Sequence, residues 1–99
     1  MSVDNLQSNP ETSAIPSEHV IFTDLDGVEG GVLVDLDTKK YYQLNETATL
    51  IWRGLENRMP IDSIVKEMTD LYEVPADHAW SSVQNLLRNL YAQKLVQPS

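Results

Sequence analysis

The sequence predicts an α+β fold in which a three-stranded antiparallel sheet precedes three helices. Three observations carry this expectation. Short β-prone segments fill residues 19–44, and turn residues separate them. The connections between those segments are too short for the crossover that parallel pairing requires, so the strands form a meander. From Asn45 onward the apolar residues recur at helical spacing instead of alternating.

The elements follow in chain order. Residues 1–17 are polar, carry Pro10 and Pro16 and show no period, so a disordered tail is expected there and a folded domain over 18–97. His19 to Leu25 (HVIFTDL) reads as the first strand, and the DGVEGG that follows is rich in residues that allow a turn. GVLVDL, residues 31–36, reads as the second strand. Asp37, Thr38 and Lys39 then make a tight turn into the third, Lys40 to Leu44.

Asn45 is a good N-cap for the first helix, because its side-chain oxygen can satisfy an orphan N–H of the first turn, and Glu46 suits the helix dipole. Ala48, Ile51, Trp52 and Leu55 carry that helix to about Asn57. Met59-Pro60 breaks the chain and starts a second helix with the stripe Ile61, Ile64, Val65, Met68 and Leu71, and Tyr72 at its end. Val74-Pro75 opens a longer third helix to about Gln93. Leu95 and Val96 then pack back on the core.

Composition excludes several classes of function. With no cysteine, a disulfide scaffold, a thiolate nucleophile and a thiolate zinc site are all ruled out. Seven Lys and Arg stand against fifteen Asp and Glu, a net charge of −8, which argues against nucleic acid or an anionic membrane surface as partner. The start of the chain has neither the basic residues nor the apolar run of a secretory signal, so the expected location is the cytoplasm. His19 and His78 have no sequence-near partner at ligand spacing, and no phosphate loop or H-E-x-x-H motif occurs. Asp24, Asp26 and Glu29, with Asp35 and Asp37, border the turns as solvating carboxylates. No catalytic residue, metal or cofactor is expected.

The third helix is the most informative element. Ala79, Val83, Leu86 and Leu90 form one apolar stripe, the usual core seam. Beside it lies a second stripe, Trp80, Gln84, Leu87, Arg88 and Tyr91, which mixes aromatic and polar groups. Either Trp80 and Leu87 widen the core contact, or this flank lines a groove.

Beyond these patterns, VLVDLDTKKYYQLNETATLIWRGL followed by IDSIVKEMTDLYEVPADHAWSSVQNLLRNLYAQKLV resembles the PqqD-like proteins. These are RiPP recognition elements, which bind leader peptides of ribosomally made natural products. The resemblance covers about residues 18–96 and is most specific at Leu44-Asn45-Glu46-Thr47 and Ile51-Trp52. Ala48 and Lys94 stand where the family often has glycine, and Lys39-Lys40 replaces a glycine-containing turn.

The resemblance implies a winged helix-turn-helix-like fold and a non-catalytic protein. In such proteins the leader adds as a further strand along the third strand, in the cleft between it and the third helix. An open edge offers unpaired N–H and C=O groups for that purpose. The expected peptide-binding residues are Lys40, Tyr41, Tyr42, Gln43 and Leu44 from the strand. Tyr42 and Leu44 face the core and Tyr41 is the freer tyrosine, by the period of two. From the helix, Trp80, Gln84, Leu87, Arg88 and Tyr91 are expected as the facing wall. The implied partners are a precursor peptide and a peptide-modifying enzyme such as a radical SAM protein. Two other classes share the fold: a winged-helix DNA-binding module, and a dimerisation module that pairs open edges into a homodimer.

Overall fold

The structure, a computed structural model, describes residues 14–24 and 30–98. Its elements are β1 (Ile15–Pro16), β2 (Val20–Asp24), β3 (Gly31–Asp35), β4 (Tyr41–Leu44), α1 (Glu46–Glu56), α2 (Ile61–Tyr72), α3 (Ala76–Ala92) and β5 (Val96–Gln97). The strands β2, β3 and β4 form an antiparallel sheet in that order, and three helices follow. This is the expected α+β architecture with the winged-helix order of elements. Leu25 and most of the expected DGVEGG turn lie outside the described residues.

The register explains how the sheet meets the helices. Phe22, Leu33 and Tyr42 are cross-strand neighbours, as are Gly31 and Leu44, and these residues share the face turned toward the helices. Leu33 is fully buried and Leu44 nearly so. They join Ile51, Trp52 and Leu55 of α1, Ile61, Ile64 and Met68 of α2, and Val83, Leu87 and Leu90 of α3 in one core. Ile21, Val34 and Tyr41 occupy the other face, where Tyr41 is 74% exposed.

Local chemistry fixes each junction. Asn45 Oδ1 accepts from the Ala48 N–H at 2.8 Å, so α1 starts directly at the end of β4 with no intervening loop. The α1 helix is tied to β2 by Arg53, which pairs with Asp24 and lies 5.0 Å over the Phe22 ring. Pro60 and Pro75 precede α2 and α3, where a missing N–H costs nothing. Gly30 has a φ of 135°, and a Cβ there would sit 2.5 Å from the Leu44 carbonyl oxygen, so the close approach of this segment to the end of β4 requires glycine.

The β3–β4 turn is built on Asp35. Its Oδ1 accepts from the Asp37 and Thr38 N–H groups at 2.9 and 3.1 Å, and its backbone closes the hairpin with Lys39 and Lys40. Burial works against the charged carboxyl. The N–H groups of Thr38 and Asp37, with His19 nearby, outweigh that cost and hold it below its ordinary value.

Three findings differ from the expectations. The expected tail up to residue 17 gives way to structure at its end: Ile15–Pro16 pair antiparallel with Val96–Gln97, Ser17 Oγ donates to the Lys94 carbonyl, and Ala14 and Ser17 are buried. A two-residue ladder of this kind carries no sequence period, which is why it was illegible; the rest of the expected tail lies outside the described residues. In α2, Leu71 is 61% exposed although it continues the apolar stripe, because it ends at the mouth of a surface groove between α1 and α2. Asp35, expected as a solvating carboxylate, is buried, and His19, distant in sequence, lies 3.8 Å from it and 3.9 Å from Asp37.

Lys39 and Lys94 adopt φ of 67° and 61°, in the region of the backbone map that favours glycine. A side chain in this left-handed region costs roughly 1–2 kcal/mol, part of which glycine returns through its freer unfolded state. Lys39→Gly and Lys94→Gly should each therefore raise stability by about 0.5–1 kcal/mol, seen as a rise of a few degrees in the thermal midpoint.

Candidate peptide-binding cleft

Among the described residues the β4 strand pairs with β3 on one side only and forms the edge of its sheet. Which of its groups are free follows from the hairpin. Asp35 N–H donates to the Lys40 carbonyl, so Asp35 and Lys40 form a hydrogen-bonded pair, and the alternation of antiparallel ladders makes Leu33–Tyr42 and Gly31–Leu44 the next two. Tyr42 and Leu44 thus spend their main-chain groups on β3. Tyr41 and Gln43 direct theirs to the open edge. Lys40 precedes the strand, and its N–H is taken by the Thr38 hydroxyl at 3.3 Å.

Just past the end of β4, Asn45 and the start of α1 face α3 across a groove of about 410 Å³. Asn45, Thr47, Ala48 and Ile51 line one side, and Ser82, Asn85, Leu86 and Asn89 the other. Tyr42 ties the strand to the end of α3, its hydroxyl donating to Gln93 Oε1 at 3.2 Å just beyond that helix. Asn85 Oδ1 accepts from Arg88 Nη1 at 3.1 Å.

The residues of α3 that line this groove lie on a different flank from Trp80, Gln84, Arg88 and Tyr91. At about 100° per residue, Ser82, Asn85, Leu86 and Asn89 fall on one side of the buried seam Ala79–Val83–Leu87–Leu90, whereas Trp80, Gln84, Arg88 and Tyr91 fall on the other. Leu87 is fully buried in the core, and Gln84 is nearly buried beside it. Trp80 and Arg88, with Gln84, Ser81 and Asn85, surround a depression of about 250 Å³ lined wholly by α3 itself. Tyr91 is half-buried, and that burial pushes its phenol pKa up.

On the strand the expected division holds. Leu44 is buried, Tyr42 packs against the core, and Tyr41 and Gln43 are exposed. What sequence reading missed is the polar flank. Asn45 was recognised only as a cap and Leu86 only as core, and the signal available was a set of uncharged polar residues, Ser82, Asn85 and Asn89, on one side of a helix in an otherwise charged chain.

Among the described residues, His19, Asp35 and Asp37 are the group of potential metal ligands. Opposite ring nitrogens of His19 face the two carboxylates, an arrangement that ties the start of β2 to the β3–β4 turn. No described helix is long and apolar enough to cross a membrane.

Comparison with known proteins agrees with this geometry. One solved chain, described as TbiB1 in complex with the TbiA(beta) leader peptide, superposes with a TM-score of 0.78 at 25% identity over 84% of this chain and 94% of its own. A second, lasso peptide synthetase B1 complexed with the leader peptide, gives a TM-score of 0.78 at 26% identity over 86% of this chain and 98% of its own. Comparison with curated proteins gives no significant match.

The buried seam of α3 and its Trp80 flank should separate by mutation. Leu87→Ala is expected to cost about 2–5 kcal/mol of folding stability in urea unfolding, and Trp80→Ala about 1 kcal/mol or less.

The sequence model of coenzyme PQQ synthesis protein D (PqqD) matches residues 30–96, so the chain belongs to the PqqD family.

Proposed function

We propose that this protein captures the leader segment of a ribosomally made precursor peptide as an added strand on β4 and presents it to a peptide-modifying enzyme. The observation that carries the reading is the open β4 edge, where Tyr41 and Gln43 direct their main-chain groups outward beside an unfilled groove. Both structural relatives are described as complexes with leader peptides, which supports the same role here. The protein acts as a non-catalytic carrier in the cytoplasm. Its second partner is a tailoring enzyme, such as a radical SAM protein, that works on the peptide once it is held.

The energetics suit this task. A disordered leader loses conformational freedom on binding, and a strand already held by β3 and by the Asn45 cap adds little ordering cost of its own. A winged-helix DNA reader needs a basic recognition helix, yet Arg88 is the only Lys or Arg in α3 and the chain's net charge is −8. Nothing in the site favours that reading.

Gln43→Pro tests the ladder directly. Proline is tolerated on an edge strand where the N–H points outward, so the fold should survive while one donor to the guest disappears. Synthetic leaders, the TbiA(beta) leader and products of short reading frames beside the gene, would be titrated into labelled protein. We expect amide shifts in residues 41–44 and 82–89 together, and at least about tenfold weaker binding by Gln43→Pro, since steric hindrance adds to the lost bond. A folded Gln43→Pro variant that binds a leader as tightly as the parent would overturn the proposal.

A further inference from the structure

We propose that the groove beside β4 selects its guest by hydrogen-bond acceptors: it holds a side chain that carries a carbonyl, hydroxyl or carboxylate on a short apolar stem, and it disfavours Lys and Arg. This rests on the reading of β4 as a peptide-binding edge and adds the chemistry of one subsite.

The groove has an apolar part, Ala48, Ile51 and Leu86, and a polar part made of Asn45, Thr47, Ser82, Asn85 and Asn89. Among the described residues no charged side chain lines it, in a chain whose residues are 22% charged. At about 410 Å³ it is large enough to admit a side chain, within the roughly 300–1,000 Å³ range of ligand clefts.

Two of its asparagines are already half committed. An asparagine side chain has one carbonyl acceptor and two N–H donors. The Asn45 carbonyl is engaged by the Ala48 N–H, and the Asn85 carbonyl by Arg88. A carbonyl oxygen has two lone pairs, so what each of these residues keeps for a guest is two N–H donors against one remaining acceptor site. Thr47, Ser82 and Asn89 can donate or accept, so they follow whichever partner arrives, and Asn45 and Asn85 set the preference. An ammonium or guanidinium carries donors only. Placed here it would meet more donors than acceptors on these two residues and give up its water without full replacement.

The chain as a whole points the other way, which sharpens the test. A net charge of −8 attracts cations to the surface in general. A bias against Lys and Arg at one guest position must then come from the groove.

Aspartate is the discriminating substitution. Asn45→Asp retains the helix cap and Asn85→Asp retains the acceptor for Arg88, while each removes the NH₂ donors and adds a negative charge. A displayed library of random short peptides would be selected on the full chain and on each variant, with melting curves to confirm that all are folded. The parent is expected to enrich acceptor-bearing side chains and deplete Lys and Arg by about fivefold or more at one guest position, and the Asp variants to reverse that preference. Parent-selected peptides with Lys or Arg favoured at every position, or variants that select the same peptides as the parent, would overturn the subsite while leaving peptide capture in place. Enrichment of no peptide by the folded parent would remove the β4-edge reading itself, and the subsite with it.

Discussion

The structure depends on one constraint: among the described residues, the four-residue strand β4 is held on every side but one. Main-chain pairing through Tyr42 and Leu44 ties it to β3, the buried Leu44 side chain anchors it in the helical core, and Asn45 converts its end directly into α1. The remaining edge keeps the main-chain groups of Tyr41 and Gln43 turned outward. An edge this short and this firmly fixed is a poor template for uncontrolled association but a ready one for a single guest strand.

The surroundings of β4 serve that geometry. The buried Asp35 carboxylate sets the turn that delivers the chain into the strand, and Gly30 permits the close approach at its far end. Tyr42 reaches Gln93 and so links the strand to the end of α3, the helix whose polar flank faces the groove. Sheet, first helix and third helix thus meet at one place, and the groove is the gap that their junction leaves. The residues of the β1–β5 ladder lie near the two ends of the described chain and close the domain by pairing them.

Much of this was legible in the sequence because it rests on period and on turn chemistry. Alternation placed Tyr42 and Leu44 inward and Tyr41 outward; the Asn45 cap and the prolines at 60 and 75 marked the helix starts. Which flank of α3 borders the groove was not legible. Trp80, Leu87 and Tyr91 attract notice as large apolar groups, but a helix buried along one seam has two flanks, and composition does not say which one turns toward the sheet. That choice is made by tertiary packing. Leu87 was drawn into the core, and the flank carrying Ser82, Asn85 and Asn89 was left beside α1. The β1–β5 pairing was hidden for a related reason, since a two-residue ladder is defined by its distant partner and leaves no local pattern.

The open edge can be examined most directly by amide hydrogen exchange at Tyr41 and Gln43, with and without a bound leader. In the free protein these two amides should exchange quickly while those of Tyr42 and Leu44 are protected by β3. Saturating leader should slow Tyr41 and Gln43 by about tenfold or more, as each gains a main-chain partner. A leader that binds and leaves both amides exchanging as fast as before would contradict strand addition on β4.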